Sequence, residues 1–178
     1  MLKQTTPLVA LAALALLFGV GCAHHQHVSK AIAVMSPTAG SSVSGEVVFH
    51  EADNGVRIVA NITGLTPGDH GFHVHQWGDI TAPDGMATGG HFDPFDHQHG
   101  ARDAPEKHIG DLGNLHADSH GVAAYDWTDT EMNLSLIIGR GVIIHEKADD
   151  YGQPTGNAGG RVAQGVIGVA EPDEGHDH

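Results

Sequence analysis

The chain has 178 residues, with 8 Lys and Arg against 22 Asp and Glu, and its formal net charge is −14. This length suits a single domain, or one domain with a short appendage. The excess of acidic residues argues against a nucleic-acid partner, because phosphate binding requires a basic surface that releases counterions. Glycine contributes 25 residues and histidine 16, while aromatic residues make up only 5%. This composition favours many tight turns and makes metal binding the leading functional hypothesis.

The N-terminal segment has the features of an export signal. Residues 7–20 carry no charge, and this run is shorter than the roughly 20 apolar residues that cross a bilayer. With Lys3 before it and small residues before Cys22, it predicts a signal peptide over residues 1–21. The only cysteine, Cys22, is placed as in bacterial lipoprotein signals, where this thiol is acylated; ordinary cleavage that leaves an idle thiol is the alternative. We expect an exported protein of the periplasm or cell envelope, with a lipid anchor at Cys22 as its one membrane contact.

Short strands separated by glycine-rich loops are predicted for the rest of the chain. Alternating or β-branched segments occupy residues 31–35, 46–50, 56–62, 72–76, 121–127, 133–138, 142–145 and 164–169. Turn sequences lie between them, and no segment after the signal has a 3.6-residue apolar period. Eight such strands indicate an antiparallel barrel or sandwich. The connections over residues 77–115 and 146–163 exceed ordinary turns, and long loops of this kind are usually functional.

A single cysteine excludes an intramolecular disulfide. The long loops must therefore be held in another way. Metal ligation can do this, because binding energy at a structural metal site is also folding energy.

The histidines of the strands and loops form a pattern typical of metal ligation. His73 and His75 are two residues apart on a predicted strand, so their side chains project from the same face and can converge on one ion. Further candidates in the long loops and at a strand end are His91, His97, His99, His108, Asp111 and His145. Several imidazoles on one ion suit copper, whereas imidazoles with a carboxylate suit a closed zinc site. The spacing leaves open whether two such sites share a ligand.

Several motifs, taken in order, resemble the copper/zinc superoxide dismutase family over residues 30–171. They are Phe-His-Val-His at 72–75, Gly-Asp-Leu-Gly-Asn at 110–114, His-Glu-Lys-Ala-Asp-Asp at 145–150 and Gly-Asn-Ala-Gly-Gly-Arg at 156–161. The resemblance implies an all-β domain, an eight-stranded Greek-key β-barrel or sandwich of immunoglobulin-like type with two long functional loops. Residues 22–29 would form a flexible, histidine-containing linker, and residues 172–178 an acidic tail.

The same resemblance implies a reaction and its cofactors. The substrate would be the superoxide anion, dismutated to oxygen and hydrogen peroxide by alternate reduction and reoxidation of copper beside a structural zinc. The copper ligands implied are His73, His75, His91 and His145. The zinc ligands implied are His91, His99, His108 and Asp111, with His91 shared. The family's spacing matches His99 rather than His97, and His97 is expected to face solvent.

Other positions carry roles that only the resemblance implies. Arg161 would hold the substrate anion beside copper, with His91 as proton carrier, and Thr155 would narrow the channel. Asp149 would link a copper histidine to a zinc histidine and fix their orientation. Lys107 and Lys147 are candidates for steering the anion by family position.

The chain also departs from the family pattern. The family's disulfide is absent, since the loop position falls around residues 84–86 and its partner position is Gln164; the loop is expected to be held mainly by zinc. Residues 151–154 replace a longer loop that carries steering charges. The alternative function is a non-catalytic copper/zinc-binding surface lipoprotein, and a homodimer is left open.

The remaining histidines have plainer interpretations. His70 is expected to be structural, and His50, His116 and His120 to lie at the surface or in turns. Five histidines lie near the ends of the mature chain: His24, His25, His27, His176 and His178. They are interpreted as solvated termini, with loose metal capture as the alternative.

Overall fold

The structure, a computed structural model, describes residues 27–173. The predictions for the signal peptide, for Cys22, and for His24, His25, His176 and His178 concern residues outside this range. Within it, the nine strands are β1 (Lys30–Pro37), β2 (Ser44–Ala52), β3 (Gly55–Thr63), β4 (Gly68–His75), β5 (Asp111–Ala117), β6 (Ala123–Asp129), β7 (Gly141–His145), β8 (Arg161–Val166) and β9 (Gly168–Val169). The only α-helix there is α1 (Leu134–Ile137), and no helix of the described part is long and apolar enough to cross a bilayer.

The strands form a closed antiparallel barrel. Their order is β2-β3-β6-β5-β4-β7-β8-β1-β9, and the pairing of β1 with β2 closes the ring. The two-residue strand β9 pairs with Ala31 and Ile32 of β1, whereas β8 pairs with Ser36 and Pro37 of the same strand. The prediction of an all-β, eight-stranded Greek-key barrel is confirmed.

Strict alternation in the sequence explains which side chains fill the barrel. In β3, Val56, Ile58, Ala60 and Ile62 point inward and are at most 1% exposed, while the residues between them face outward. Period-two alternation puts one face of a strand on the core. Phe72 pairs with Tyr125 across this core in an edge-to-face contact with ring centroids 5.3 Å apart.

Two local predictions were wrong. Residues 133–138, expected as a strand, contain α1, because the Asn133 side chain accepts a hydrogen bond from Ser135 N and caps a helical turn. Strand β5 was missed, because Asp111, Gly113 and Asn114 are residue types depleted in strands. Its buried Leu112 and Leu115 are held in register by pairing with β4.

The two long loops cover the outer face of β4. The first loop returns to the sheet at His91, which forms an isolated bridge with His75. The second lies beside the other end of the strand, where Gly71 N donates to Lys147 O at 2.8 Å. As a result β4 is buried on both faces, with Phe72 and Val74 in the core and histidines beneath the loops.

Candidate metal centre

Two groups of four buried side chains could each hold a metal ion. One contains His73, His75, His91 and His145, and the other contains His91, His99, His108 and Asp111; in each, one ligand atom per residue lies within 4.8 Å of all the others. His91 belongs to both groups. The described residues therefore bring together the complete set of predicted ligands, which is spread over β4, the first loop and the ends of β5 and β7.

Local strand geometry places the first group. His73 and His75 alternate with Phe72 and Val74 on β4, so the aromatic and aliphatic side chains anchor the strand in the core while both imidazoles point outward. His145 ends the apolar strand β7 and is 7% exposed. The ring of His91 stacks on that of His73 with centroids 3.9 Å apart.

Hydrogen bonds fix which nitrogen of each ring is left free. His73 Nε2 and His99 Nε2 donate to Asp149, His75 Nδ1 donates to Gly89 O, and His145 Nδ1 donates to Gly159 O at 3.4 Å. The opposite nitrogens of the first group are His73 Nδ1, His75 Nε2 and His145 Nε2, and each is buried without a hydrogen-bond partner. His99 Nδ1 lies 3.0 Å from Asp111 Oδ2. An imidazole that donates through one nitrogen presents a lone pair on the other. Three buried lone pairs are thus available for ligation, and His99 supplies a fourth once its Nδ1 is deprotonated.

Asp111 is the carboxylate of the second group. Its side chain is fully buried, and Oδ1 accepts hydrogen bonds from His91 Nδ1 at 2.8 Å and His108 Nδ1 at 3.2 Å. Burial alone would raise its pKa, but the bonds from His108, His91 and His99 hold the pKa of Asp111 well below its usual range. The carboxylate therefore stays ionised as a ligand must.

Asp149 lies behind both groups and joins them. Oδ2 accepts from His73 Nε2 at 2.7 Å and Oδ1 from His99 Nε2 at 2.9 Å. Asn114 of β5 holds the backbone of Asp149, donating to its carbonyl at 3.0 Å and accepting from its amide at 2.7 Å. At Gly156 (φ +75°) a Cβ would lie 1.8 Å from Asp149 Oδ1, so only glycine fits there. Asn114 and Gly156 belong to the motifs at 110–114 and 156–161, but the sequence alone predicts no role for either of them.

Protonation in the metal-free cluster differs between the rings. Burial lowers the pKa of His91 to about 4 and that of His145 to about 3, and it also lowers the pKa of His73 and His75. Burial opposes the charge on His99 as well, but Asp111 and Asp149 outweigh it and raise the pKa of His99 to about 9. Near neutral pH the first group is therefore neutral, and His99 carries a proton.

The donor sets fit copper and zinc. Neutral imidazoles with buried, unpartnered nitrogens are the ligands that copper and zinc prefer, whereas magnesium and calcium require oxygen donors. Four imidazoles suit a redox-active copper ion, and three imidazoles with a carboxylate suit zinc. The hydrogen bonds of the outer nitrogens to Asp149, Gly89 O and Gly159 O fix the orientation of the rings, as such sites need.

A cleft of about 440 Å³ opens above the first group. Its lining includes His75, His91, His145, Thr155 and Arg161, together with Asp84 and Met86 at the first loop. Thr155 is thus placed at the cleft. Burial lowers the pKa of Arg161, while the charge of Asp84 raises it; a guanidinium remains protonated throughout.

Backbone oxygens of the first loop orient Arg161. Nη1 donates to Gly85 O at 2.6 Å and to Thr88 Oγ1 at 2.8 Å, and Nη2 donates to Gly89 O at 2.6 Å. Gly89 O also accepts from His75 Nδ1 at 2.9 Å. The Gly89 carbonyl therefore links Arg161 to His75, a ligand of the first group. The spacing of these residues in the sequence does not predict this connection.

Two predicted residues have different surroundings from those expected. Lys107 is not a steering charge: it is 2% exposed, and Nζ donates to Asp129 Oδ2 at 2.9 Å. A charge neutralised inside the protein has little effect on an approaching anion. His97 does not simply face solvent, because its ring is half-buried and Nδ1 donates to Lys107 O at 3.0 Å. It belongs to neither ligand group. Lys147 is exposed.

The remaining described histidines are not ligands. His70 is buried and bonds His145 O through Nδ1 and Thr66 O through Nε2, both at 2.8 Å. It supports the backbone at the end of β7, in keeping with its predicted structural role. His116 and His120 are exposed.

Comparison with known proteins assigns the family. The family model for copper/zinc superoxide dismutase (SODC) matches residues 43–167. A crystal structure of the clock protein EA4 is similar at 44% sequence identity and a TM-score of 0.74, covering 80% of this chain and 96% of that one. The matched residues span most of the barrel and both ligand groups. The chain belongs to the copper/zinc superoxide dismutase family.

Proposed function

We propose that the protein dismutates superoxide to oxygen and hydrogen peroxide. Copper would be held by His73, His75, His91 and His145, and zinc by His91, His99, His108 and Asp111. The observation that carries the proposal is that His91 is shared by both ligand groups and lines the cleft that also contains Arg161. Such a cleft contains both a cation that can bind an anion and an imidazole that can carry a proton.

Arg161 would bind the substrate. It is half-buried, and its guanidinium is fixed by three acceptors of the first loop. A preoriented cation of this kind attracts a small anion and loses little side-chain entropy when it binds. Thr155 lines the same cleft and would limit the size of the anion that reaches it.

His91 would deliver a proton. Its Nδ1 lies 2.8 Å from Asp111 Oδ1. Its Nε2 is therefore the atom that would share an ion with His73, His75 and His145, and that would carry the proton. The overall reaction takes two superoxide anions and two protons to one oxygen and one hydrogen peroxide. Copper, when bound, supplies the one-electron oxidation and reduction that no side chain here can provide, and zinc has no redox role. Asp111 and Asp149 keep the rings in place while the proton moves.

The test combines metal content with turnover. The purified protein, loaded with copper and zinc, is expected to bind one of each and to consume superoxide at a rate that Arg161→Ala lowers by about tenfold or more. Full metal loading without superoxide consumption would refute the proposal. A rate unaffected by Arg161→Ala would refute the role of the guanidinium.

The second candidate is a non-catalytic copper/zinc-binding protein of the cell surface. It is favoured by the similarity to a protein described as a clock protein, because that description names no dismutase activity. Metal content alone does not separate the two candidates, since both bind metal. Superoxide consumption does.

The location of the protein is part of the proposal. The sequence features of residues 1–22 predict export and acylation at Cys22. Cys22→Ser should then release the protein from the membrane fraction, and mass spectrometry of the mature N-terminus should show the lipid only when Cys22 is present. Homodimer formation is left open by the sequence and is measured by sedimentation of the soluble domain.

A further inference from the structure

The first long loop is attached to the barrel by a side chain that the proposed reaction does not use. Gln164 lies in the middle of β8, opposite Ile143 of β7 and Ser36 of β1. It is 6% exposed, and its Nε2 reaches Ala82 O at 3.2 Å and Ile80 O at 3.5 Å, more than eighty residues away. A buried amide spanning two segments in this way constrains both of them.

A bulge in β8 brings Gln164 to the same side as Arg161. Residues three apart on a regular strand face opposite sides of the sheet. The register shifts between Ile144 and His145, so that one step on β7 corresponds to two steps on β8. The extra residue, Val162, packs against the core. Arg161 and Gln164 therefore both reach the first loop, which agrees with a bulge re-aiming side chains beside a functional site.

A short chain of hydrogen bonds links the two side chains. Ala82 O accepts from Gln164 Nε2 and from Gly85 N at 3.0 Å, and Gly85 O accepts from Arg161 Nη1 at 2.6 Å. Gly85 has a φ of +77°, and a Cβ there would lie 3.2 Å from Arg161 Cδ. The turn over residues 82–85 is therefore held by Gln164 on one side and presents its carbonyl to the guanidinium on the other.

We propose that Gln164 is a positioning residue for Arg161: by holding Ala82 O it fixes the turn whose Gly85 carbonyl orients the guanidinium in the cleft. The turn is held by side chains and not by a disulfide, because the sole cysteine of the chain, Cys22, precedes the described residues. It rests on the proposed copper site but not on turnover. The second attachment of this turn, Ala39 N to Pro83 O at 2.7 Å, explains why the loop would remain folded without Gln164.

The test uses anion affinity as its readout. Gln164→Met keeps the length of the side chain and removes the donor, and Gln164→Leu serves if Gln164→Met does not fold. Azide is titrated into the copper- and zinc-loaded protein and followed by its charge-transfer absorption. We expect the azide dissociation constant to rise about threefold or more in Gln164→Met, and to show no further rise when Gln164→Met is added to Arg161→Ala, because coupled residues are non-additive. An unchanged constant, or an equal rise in both backgrounds, would overturn the proposal.

A second measurement needs no copper. Amide hydrogen exchange at Gly85 in the metal-free protein should be faster in Gln164→Met than in the unsubstituted chain, since Ala82 O loses one of its two attachments. Gln98→Met, at an exposed position of the same long loop, should leave this exchange unchanged. Equal protection of Gly85 with and without Gln164 would refute the role. Failure of the dismutase proposal would instead be seen in the superoxide consumption of the unsubstituted protein.

Discussion

His73 Nε2 donates to Asp149 Oδ2 at 2.7 Å although the two residues are 76 positions apart, and both side chains are fully buried. The other oxygen of the same carboxylate accepts from His99. One buried carboxylate thus orients one imidazole from each ligand group. An amide in its place would turn one hydrogen bond into a contact between two donors.

Asp149→Asn should therefore weaken zinc binding by about 10- to 100-fold, the usual effect of losing such an outer partner. The measurement is competition with a chromophoric chelator. Asp150→Asn is the matched control, because Asp150 is an exposed neighbour whose bonds are to Gly152 and Asn157. If both substitutions have the same effect on zinc affinity, the carboxylate of Asp149 does not act through the ligands.

Metal removal should destabilise the protein strongly. The ligand groups join the first loop to β4, β5 and β7, and the described residues contain no disulfide because they contain no cysteine. Metal at a thousandfold excess over its dissociation constant stabilises a fold by about 4 kcal/mol, or about 10 °C in Tm at this size. Calorimetry before and after chelation measures this. A Tm that barely moves would show that protein contacts alone hold the loops.

The metal-free protein should lose stability as the pH is lowered. The pKa values of His91 and His145 are about 4 and about 3 in the folded protein, below the ordinary value of 6.5. Between about pH 6.5 and 4 the unfolded chain binds protons that the folded chain does not, so the free energy of unfolding falls through this window. His99, with a pKa of about 9, is protonated in the folded protein throughout and offsets part of this fall above about pH 6, where the unfolded imidazole is still partly neutral.

Urea unfolding at pH 7 and pH 5 in the presence of a chelator checks this prediction. The change should be on the order of 1 kcal/mol per pH unit for each buried imidazole. A midpoint that rises on acidification would contradict the predicted protonation.

Asp84 should slow the approach of anions. It lies in the lining of the cleft, and its charge acts directly on Arg161. Asp84→Asn keeps the oxygen that accepts from Met86 N and should raise kcat/KM for superoxide about twofold at low ionic strength, with the gain lost in high salt. Glu51→Gln makes the same change in net charge on β2, away from the cleft. Equal gains from both would mean that only the overall charge matters.

The buried pair of Lys107 and Asp129 should contribute to stability rather than to steering. Breaking a buried ion pair costs about 3–5 kcal/mol when one charge is left behind, although Asp129 Oδ1 retains bonds from Glu131 N and Met132 N. Lys107→Met should lower the unfolding midpoint in urea and leave the salt dependence of activity unchanged. Lys147→Met, at an exposed position, should leave the unfolding midpoint unchanged and alter the salt dependence of activity. If Lys107→Met alters the salt dependence of activity, then Lys107 does help to steer the anion and this prediction is wrong.

Much of the fold was predictable because alternation marks inward-facing positions. Strand β3 and the paired histidines of β4 follow this rule directly. Strand β5 was missed and residues 133–138 were misassigned because pairing partners and a capping side chain outweigh local propensity. The sequence also did not predict the surroundings of Lys107, since Asp129 lies 22 residues away at the end of β6.

The sequence by itself determined the chemical identity of the candidate site: which residues are imidazoles or carboxylates, which of them share a strand face, and that no disulfide holds the loops. The tertiary structure alone decided the coupling between them. Asp149 joins two rings, Gly89 O joins His75 to Arg161, and Gln164 reaches Ala82. The physical reason is that hydrogen bonds depend on distances and directions of a few tenths of an ångström, and only the closed barrel brings segments this far apart in the chain within that range.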